Sequence, residues 1–167
     1  LVTKQHRDKV ASYLESGSAQ GARVVADGRE HPLYRDSEGF FLGASLIDDV
    51  TPDMDCYRDE IFGPVLTVVR VKSYDEAVAL VNQTGYGLTS GLESLDEREW
   101  DYWKSHIRAG NLYINRVTTG AVVLRQPFGG MGKSGFGPGM KAGGPNYVAQ
   151  FMDFEDVAGA CVDGVPL

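Results

Sequence analysis

From Thr3 to about Gly17 the apolar side chains Val10, Tyr13 and Leu14 fall at helical spacing, with Lys4, Arg7, Asp8 and Lys9 on the other faces. That pattern predicts a surface helix. Two short apolar runs follow, Arg23 to Ala26 and Phe40 to Ile47, bounded by Gly and Asp turn signals as buried or half-buried strands are. Pro64 to Val71 is the strongest β run of the chain. Directly behind it, Ser73-Tyr74-Asp75-Glu76 has the spacing of a capping box, in which serine oxygen and glutamate satisfy orphan amide donors at a helix start. A helix is expected from Tyr74 to about Asn82, with Tyr74, Ala77, Val78 and Val81 on one face and Gly85 supplying a left-handed stop. The next strand is expected from Leu88 to Leu92. A second box, Ser94-Leu95-Asp96-Glu97, opens a helix whose Trp100, Trp103 and Ile107 share a face before Gly110, and Asn111 to Asn115 reads as a further strand.

Strand, capped helix, strand, capped helix, strand is the alternation that yields parallel strands covered by helices, because each crossover packs back onto the sheet. The expected class is α/β with a parallel-stranded sheet. Glycine is so frequent from Pro127 to Pro145 that no regular element is expected there, and a long loop in a compact domain is more often functional than idle. Tyr147 to Phe154 reads as a candidate edge strand. The expected division is a main domain over residues 1–148 and a tail over residues 149–167.

Composition narrows the function classes. The chain has 167 residues, enough for one sizeable core, and no apolar run approaches a membrane-spanning length. A net charge of −7 with scattered basic residues disfavours nucleic acid. Cys56 and Cys161 show neither CxxC spacing nor a nearby histidine cluster, so neither a metal site nor a disulfide framework is expected and a reducing cytoplasm fits best. The opening Leu1-Val2-Thr3-Lys4-Gln5-His6 has no initiator methionine and no signal-peptide layout, and reads as a cut into a longer polypeptide.

Gly130-Met131-Gly132-Lys133-Ser134-Gly135 matches G-x-G-x-x-G, but Phe136-Gly137-Pro138-Gly139 behind it is a poor helix start, so no helix N-terminus is available to face a phosphate. A tight loop is the better reading. Glu60, in isolation, reads as a solvated carboxylate among Asp53, Asp55 and Asp59.

Two segments change that reading. Glu60-Ile61-Phe62-Gly63-Pro64 and Gln126-Pro127-Phe128-Gly129-Gly130 together resemble signatures of the C-terminal half of the aldehyde dehydrogenase superfamily. The resemblance implies that Glu60 accepts hydrogen bonds from the nicotinamide ribose hydroxyls of NAD, a task suited to a carboxylate whose two oxygens can hold a vicinal diol. It implies that Phe62 lies beside the nicotinamide ring. The run Gly110 to Val123, the Gln126 to Gly130 motif, and Lys141-Ala142-Gly143-Gly144-Pro145-Asn146-Tyr147-Val148 look like the branch that oxidises L-glutamate γ-semialdehyde, the open form of Δ1-pyrroline-5-carboxylate, including the bifunctional proline-oxidising enzymes. In that branch Gly120 and Ala121 match the positions that anchor the substrate carboxylate, as successive backbone amides in a glycine-permitted turn can. Phe128 matches an aromatic on the aliphatic part of the substrate. An ordinary turn with a core phenylalanine stays open as the alternative, and Arg116 and Arg125 read as solvated charges.

The family's nucleophilic cysteine lies in a Gly-Gln-x-Cys type segment, and no such segment occurs in this chain. Cys56 sits among carboxylates that push its pKa upward, and Cys161 lies in a Gly/Ala/Val-rich tail, so no catalytic residue is assigned here. By resemblance the chain supplies one wall of an NAD-dependent aldehyde oxidation site, with an aldehyde as the small-molecule partner, and is inactive alone. A tail strand near Phe151 to Phe154 is expected to pair with another subunit in a homo-oligomer. The competing readings are a non-catalytic assembly domain and another aldehyde dehydrogenase branch.

Overall fold

The structure is a computed structural model that describes residues 1–122, 125, 126, 128–136, 145–149, 151–155, 161, 162, 165 and 166. Its contacts divide the chain into two compact units, Leu1–Thr84 and Gly85–Leu167.

The first unit opens with helix α1, Lys4–Ala19, capped by Thr3, whose hydroxyl accepts from His6 N at 3.1 Å. Val10, Ala11, Tyr13, Leu14 and Gly17 form its buried stripe, and Gly21 at φ +104° ends it. Strand β1, Arg23–Ala26, leads through a 3-10 turn and the short α2, Pro32–Arg35, to β2, Ser45–Asp48. Another short helix, α3, Asp55–Arg58, precedes β3, Val65–Thr67, and α4, Tyr74–Gln83, closes the unit. Tyr13, Leu14, Ala22, Ile47, Val50, Met54 and Cys56 make the core. Leu14 and Ile47 are fully enclosed there, a burial worth about 1.5–3 kcal/mol for each such side chain.

The sheet order is β1-β2-β3, with β1 antiparallel and β3 parallel to β2. A parallel-stranded sheet is expected from the sequence, and the sheet formed here is mixed. The β2–β3 crossover carries α3 and returns the chain in the same direction, whereas the segment between β1 and β2 turns it back. The Pro64 to Val71 run is laddered only over β3, although Val68 N still donates to Ile47 O at 2.8 Å. Asp49, at φ +58°, interrupts the ladder, and beyond it Val50 N donates to Val68 O at 3.1 Å. Arg70 reaches back to Asp48 at 2.6 Å, and Arg23 meets the same buried carboxylate at 2.6 Å.

Helix α4 starts at the predicted serine, with Glu76 N donating to Ser73 Oγ at 3.2 Å, while the Glu76 carboxylate accepts from Lys72 N at 2.8 Å, one residue before the position a capping box uses. Gly85, at φ +75°, follows its end.

The second unit contains β4, Tyr86–Gly87; β5, Thr89–Leu92; α5, Glu97–His106; β6, Asn111–Ile114; β7, Met131–Gly132; α6, Pro145–Ala149; β8, Cys161–Val162; and β9, Val165–Pro166. β5 and β6 are parallel across α5, the crossover the sequence predicts, and β4 pairs antiparallel with β7. Trp103, Ile107 and Tyr113 are buried. The cap of α5 is Asp96, two residues beyond the expected Ser94, because the Ser94 hydroxyl bonds Glu99 and leaves Asp96 to accept from Arg98 N at 2.9 Å.

The expected edge strand from Tyr147 to Phe154 does not form among the described residues. Tyr147–Ala149 belong to α6, and Phe151 and Met152 turn behind it. Tyr147 and Phe151 stack edge-on with centroids 5.7 Å apart, a contact at i,i+4 that favours a helical turn over a strand.

Candidate functional site

In the first unit, the segment carrying Glu60 and Phe62 is pinned at both ends. Before it, Tyr13 Oη donates to Asp59 Oδ2 at 2.8 Å. Behind it, Ser45 N donates to Pro64 O at 2.9 Å, and Gly63 lies so close to α1 that a β-carbon there would come within 2.5 Å of Val10 Cγ1. Ile61 packs against the core while Glu60 and Phe62 face outward. Phe62 is 74% exposed and its φ is +58°, a left-handed conformation that is an outlier for a bulky side chain. The Glu60 carboxylate has no hydrogen-bond or ion-pair partner among the described residues. A carboxylate with all its acceptor capacity available, beside an exposed ring, fits a ligand that offers hydroxyl donors and a flat face.

Burial and the Asp59 bond together push the Tyr13 phenol up to about 12. Cys56 is buried, and burial, with the Asp55 charge in a lesser role, raises its pKa. Its thiol lacks the exposed, electropositive surroundings of a nucleophile. Desolvation, rather than the neighbouring carboxylates expected from the sequence, is the larger cause.

The second unit gathers Gly120, Ala121 and Phe128 around one cavity of about 450 Å³, together with Leu88, Thr89, Thr118, Thr119 and Val122. Gly120 has φ +85° and open space where a β-carbon would stand, so its glycine serves the backbone conformation rather than a close approach. The backbone amides of Thr119, Gly120 and Ala121 donate to no acceptor among the described residues. These amides belong to residues that line the cavity, and a glycine-permitted turn of this kind is able to bind an anion through them.

Neighbouring contacts hold the turn and the Phe128 loop in place. Asn115, at φ +52°, ties its side chain to the Ser94 backbone twice, accepting from Ser94 N at 2.9 Å and donating to Ser94 O at 2.8 Å. Gly129 N donates to the buried Asn111 Oδ1 at 3.2 Å, and Gly110 faces Gly129 so closely that a β-carbon would stand 1.7 Å from its carbonyl oxygen. The Gly130 to Gly135 motif is a tight loop, with Ser134 N to Met131 O at 3.1 Å, and Lys133 lies over the Tyr86 ring at 5.0 Å. Arg116 lies over the Tyr113 ring at 5.0 Å and lines a second cavity of about 380 Å³ with Gln126, which donates to Tyr113 Oη at 2.9 Å. Arg125 is exposed.

Sequence reasoning missed the left-handed Phe62, the Asn115 fastening, and the threonines of the cavity. An Asn directly behind an apolar strand was the signal available for the second. Among the described residues no group of three potential metal ligands occurs, and no helix is long and apolar enough to cross a membrane.

Residues 1–157 match the aldehyde dehydrogenase family, and the chain belongs to that family. A 1-pyrroline-5-carboxylate dehydrogenase of Bacillus cytotoxicus is 41% identical over 145 residues, which is 87% of this chain and 27% of that protein. A solved 1-pyrroline-5-carboxylate dehydrogenase from Thermus with bound NAD superposes with a TM-score of 0.81 at 36% identity, covering 92% of this chain and 28% of its own. A putative methylmalonate-semialdehyde dehydrogenase from Sinorhizobium meliloti, complexed with NAD, gives 0.77 at 38% identity, with 84% and 28% covered. The chain thus spans about a quarter of the length of these relatives.

Proposed function

We propose that this chain forms part of an NAD-dependent dehydrogenase that oxidises L-glutamate γ-semialdehyde to L-glutamate. The carrying observation is the Thr119–Ala121 turn, whose amides have no acceptor among the described residues and which borders a cavity shared with Phe128. The semialdehyde has a carboxylate remote from its reacting carbon, and backbone amides answer that charge while an aromatic covers the methylenes between. The names of the Bacillus and Thermus relatives support the same substrate.

Glu60 and Phe62 are the residues that would hold NAD, through the ribose hydroxyls and the nicotinamide face. NAD supplies the hydride acceptor when bound. The chain's own residues bind and orient: the free Glu60 carboxylate accepts, the Gly120 turn donates, and neither moves a proton. Cys56 is unsuited to attack an aldehyde, so the isolated chain is inactive in this reading. Assembly through the tail belongs to the same proposal, supported by the exposure of Phe151, Met152 and Phe154.

A second reading has its own support, since a methylmalonate-semialdehyde dehydrogenase is about equally similar. Both names denote carboxylate-bearing substrates, so the choice between them rests on substrate length. A chimera decides it: the matching stretch of the Bacillus cytotoxicus enzyme is replaced by this chain, and NADH formation is followed with glutamate semialdehyde, methylmalonate semialdehyde and propanal. Preference for glutamate semialdehyde is expected. Preference for propanal would remove the carboxylate from the proposal, and preference for methylmalonate semialdehyde would replace the substrate. NADH formation by the 167-residue chain alone would overturn its assignment as a non-catalytic portion.

A further inference from the structure

The geometry points to Thr118 as a specificity-determining residue, whose hydroxyl supplies a side-chain donor to a carboxylate at the Gly120 turn. This rests on the reading of the cavity as the carboxylate end of the substrate site. Thr118 lines the cavity and is half-buried, and its hydroxyl has no hydrogen-bond partner among the described residues. A half-buried hydroxyl that donates to nothing in its own chain is available to a ligand.

What orients that side chain is Gly91, in the middle of β5. A β-carbon at Gly91 would stand 2.7 Å from Thr118 Cγ2, so the threonine methyl occupies the space that the missing side chain leaves. With the methyl seated there, the hydroxyl stands on another arm of Cβ. Because staggered wells are the populated ones, seating one arm restricts the other. Thr89, from the same strand, lines the same cavity. Gly91 is thus a positioning residue: it touches no ligand and acts by giving Thr118 its seat. Backbone amides alone would recognise any anion, whereas a hydroxyl fixed beside them discriminates by the direction of its bond.

The test uses the full chain and L-norvaline, which has the carboxylate, ammonium and carbon chain length of the semialdehyde without its aldehyde oxygen. Pentylamine serves as the comparator without a carboxylate. Binding is read from the amide NMR shifts of Gly120 and Ala121. Norvaline is expected to give saturable shifts and pentylamine none. Thr118→Val keeps the methyl seat and removes the hydroxyl, and is expected to weaken norvaline binding about ten-fold or more, as loss of a hydrogen bond to a charged group does. Thr118→Ser keeps the hydroxyl but loses the methyl that seats it, and is expected to bind norvaline more weakly than the parent and more tightly than Thr118→Val. Gly91→Ala fills the seat and is expected to weaken binding with Thr118 intact. Equal norvaline affinity in Thr118→Val and the parent would overturn the role of Thr118 while leaving the cavity reading in place. Unchanged binding in Gly91→Ala would overturn the seating. Absence of any norvaline-specific shift in the parent would overturn both this inference and the reading beneath it.

Discussion

Replacing Gly63 by alanine isolates the contact that holds the Glu60–Phe62 segment against α1. The new methyl would stand 2.5 Å from Val10 Cγ1 and 2.9 Å from Val10 Cγ2, each about an ångström inside the usual carbon–carbon separation. Val10 is fully buried and has no room to retreat. Gly63 carries no positive φ, so an alanine meets no backbone penalty and the cost is packing alone. Overpacking of this kind costs about 1–3 kcal/mol, or roughly 0.5–1.5 M in a urea midpoint for a slope of about 2 kcal/mol/M. Truncating the partner supplies the control. Val10→Ala alone destabilises by about 1–3 kcal/mol through lost burial, but it removes both clashing carbons and leaves only the contact with Val10 Cβ at 3.2 Å. In the double variant the alanine methyl fills the vacated space, so the two changes should be non-additive by about 1–3 kcal/mol in the stabilising direction. Urea unfolding of the four chains measures the cycle, and the amide shifts of Glu60 and Phe62 report whether the segment moves. Additivity within about 0.5 kcal/mol, or a Gly63→Ala chain as stable as its parent, would refute the claim that this glycine is the hinge pin of the segment.

The remaining expectations concern caps, glycines and titration. Ser73→Ala removes the oxygen that accepts from Glu76 N and should cost about 1 kcal/mol of stability, read by thermal unfolding. Gly120→Ala meets no atom but keeps φ +85°; a loss of about 1–2 kcal/mol, together with weaker norvaline binding, is expected in the same titration. The Tyr13 phenol is raised from 10.0 to about 12, chiefly by burial. Its protonated form is favoured by the fold, so its contribution is complete below pH 10 and is lost as pH rises through about 12; Tyr13→Phe should flatten that alkaline limb. Asp96 is lowered from 3.8 to about 2, first by its hydrogen bond with Arg98. Its contribution is present above pH 4 and is lost as pH falls toward 2, a decline that Asp96→Asn should reduce.

The helices were the legible part of the sequence. Thr3 to Gly17 and Tyr74 to Asn82 read correctly because apolar residues repeat at helical spacing and a hydroxyl waits at each start, although Val81 on the second stripe is exposed. Ser94 misled because two capping residues compete two positions apart, and the winner is decided by Glu99, which engages the serine. Strand direction was illegible between β1 and β2, where the intervening residues carry no helical period to announce a crossover. At Tyr147 an aromatic pair suits either a strand or a helical turn, and only the contact with Phe151 selects the second. In the candidate site, Gly120 announced its left-handed turn by being glycine, whereas Phe62 adopts the same half of the conformational map with a residue type that gives no warning. The seat at Gly91 was hidden because it pairs residues far apart in the chain, Gly91 and Thr118.

Phe62 has a consequence for how this protein can be stabilised. Its ring is 74% exposed and its backbone sits at φ +58°, so the residue forgoes most of its burial energy and carries about 1–2 kcal/mol of torsional penalty besides. Selection for thermal tolerance alone would drift toward glycine at that position. Such a drift would yield a tougher molecule with a bare patch where an aromatic face had stood, and screens that score only unfolding would mistake that loss for improvement.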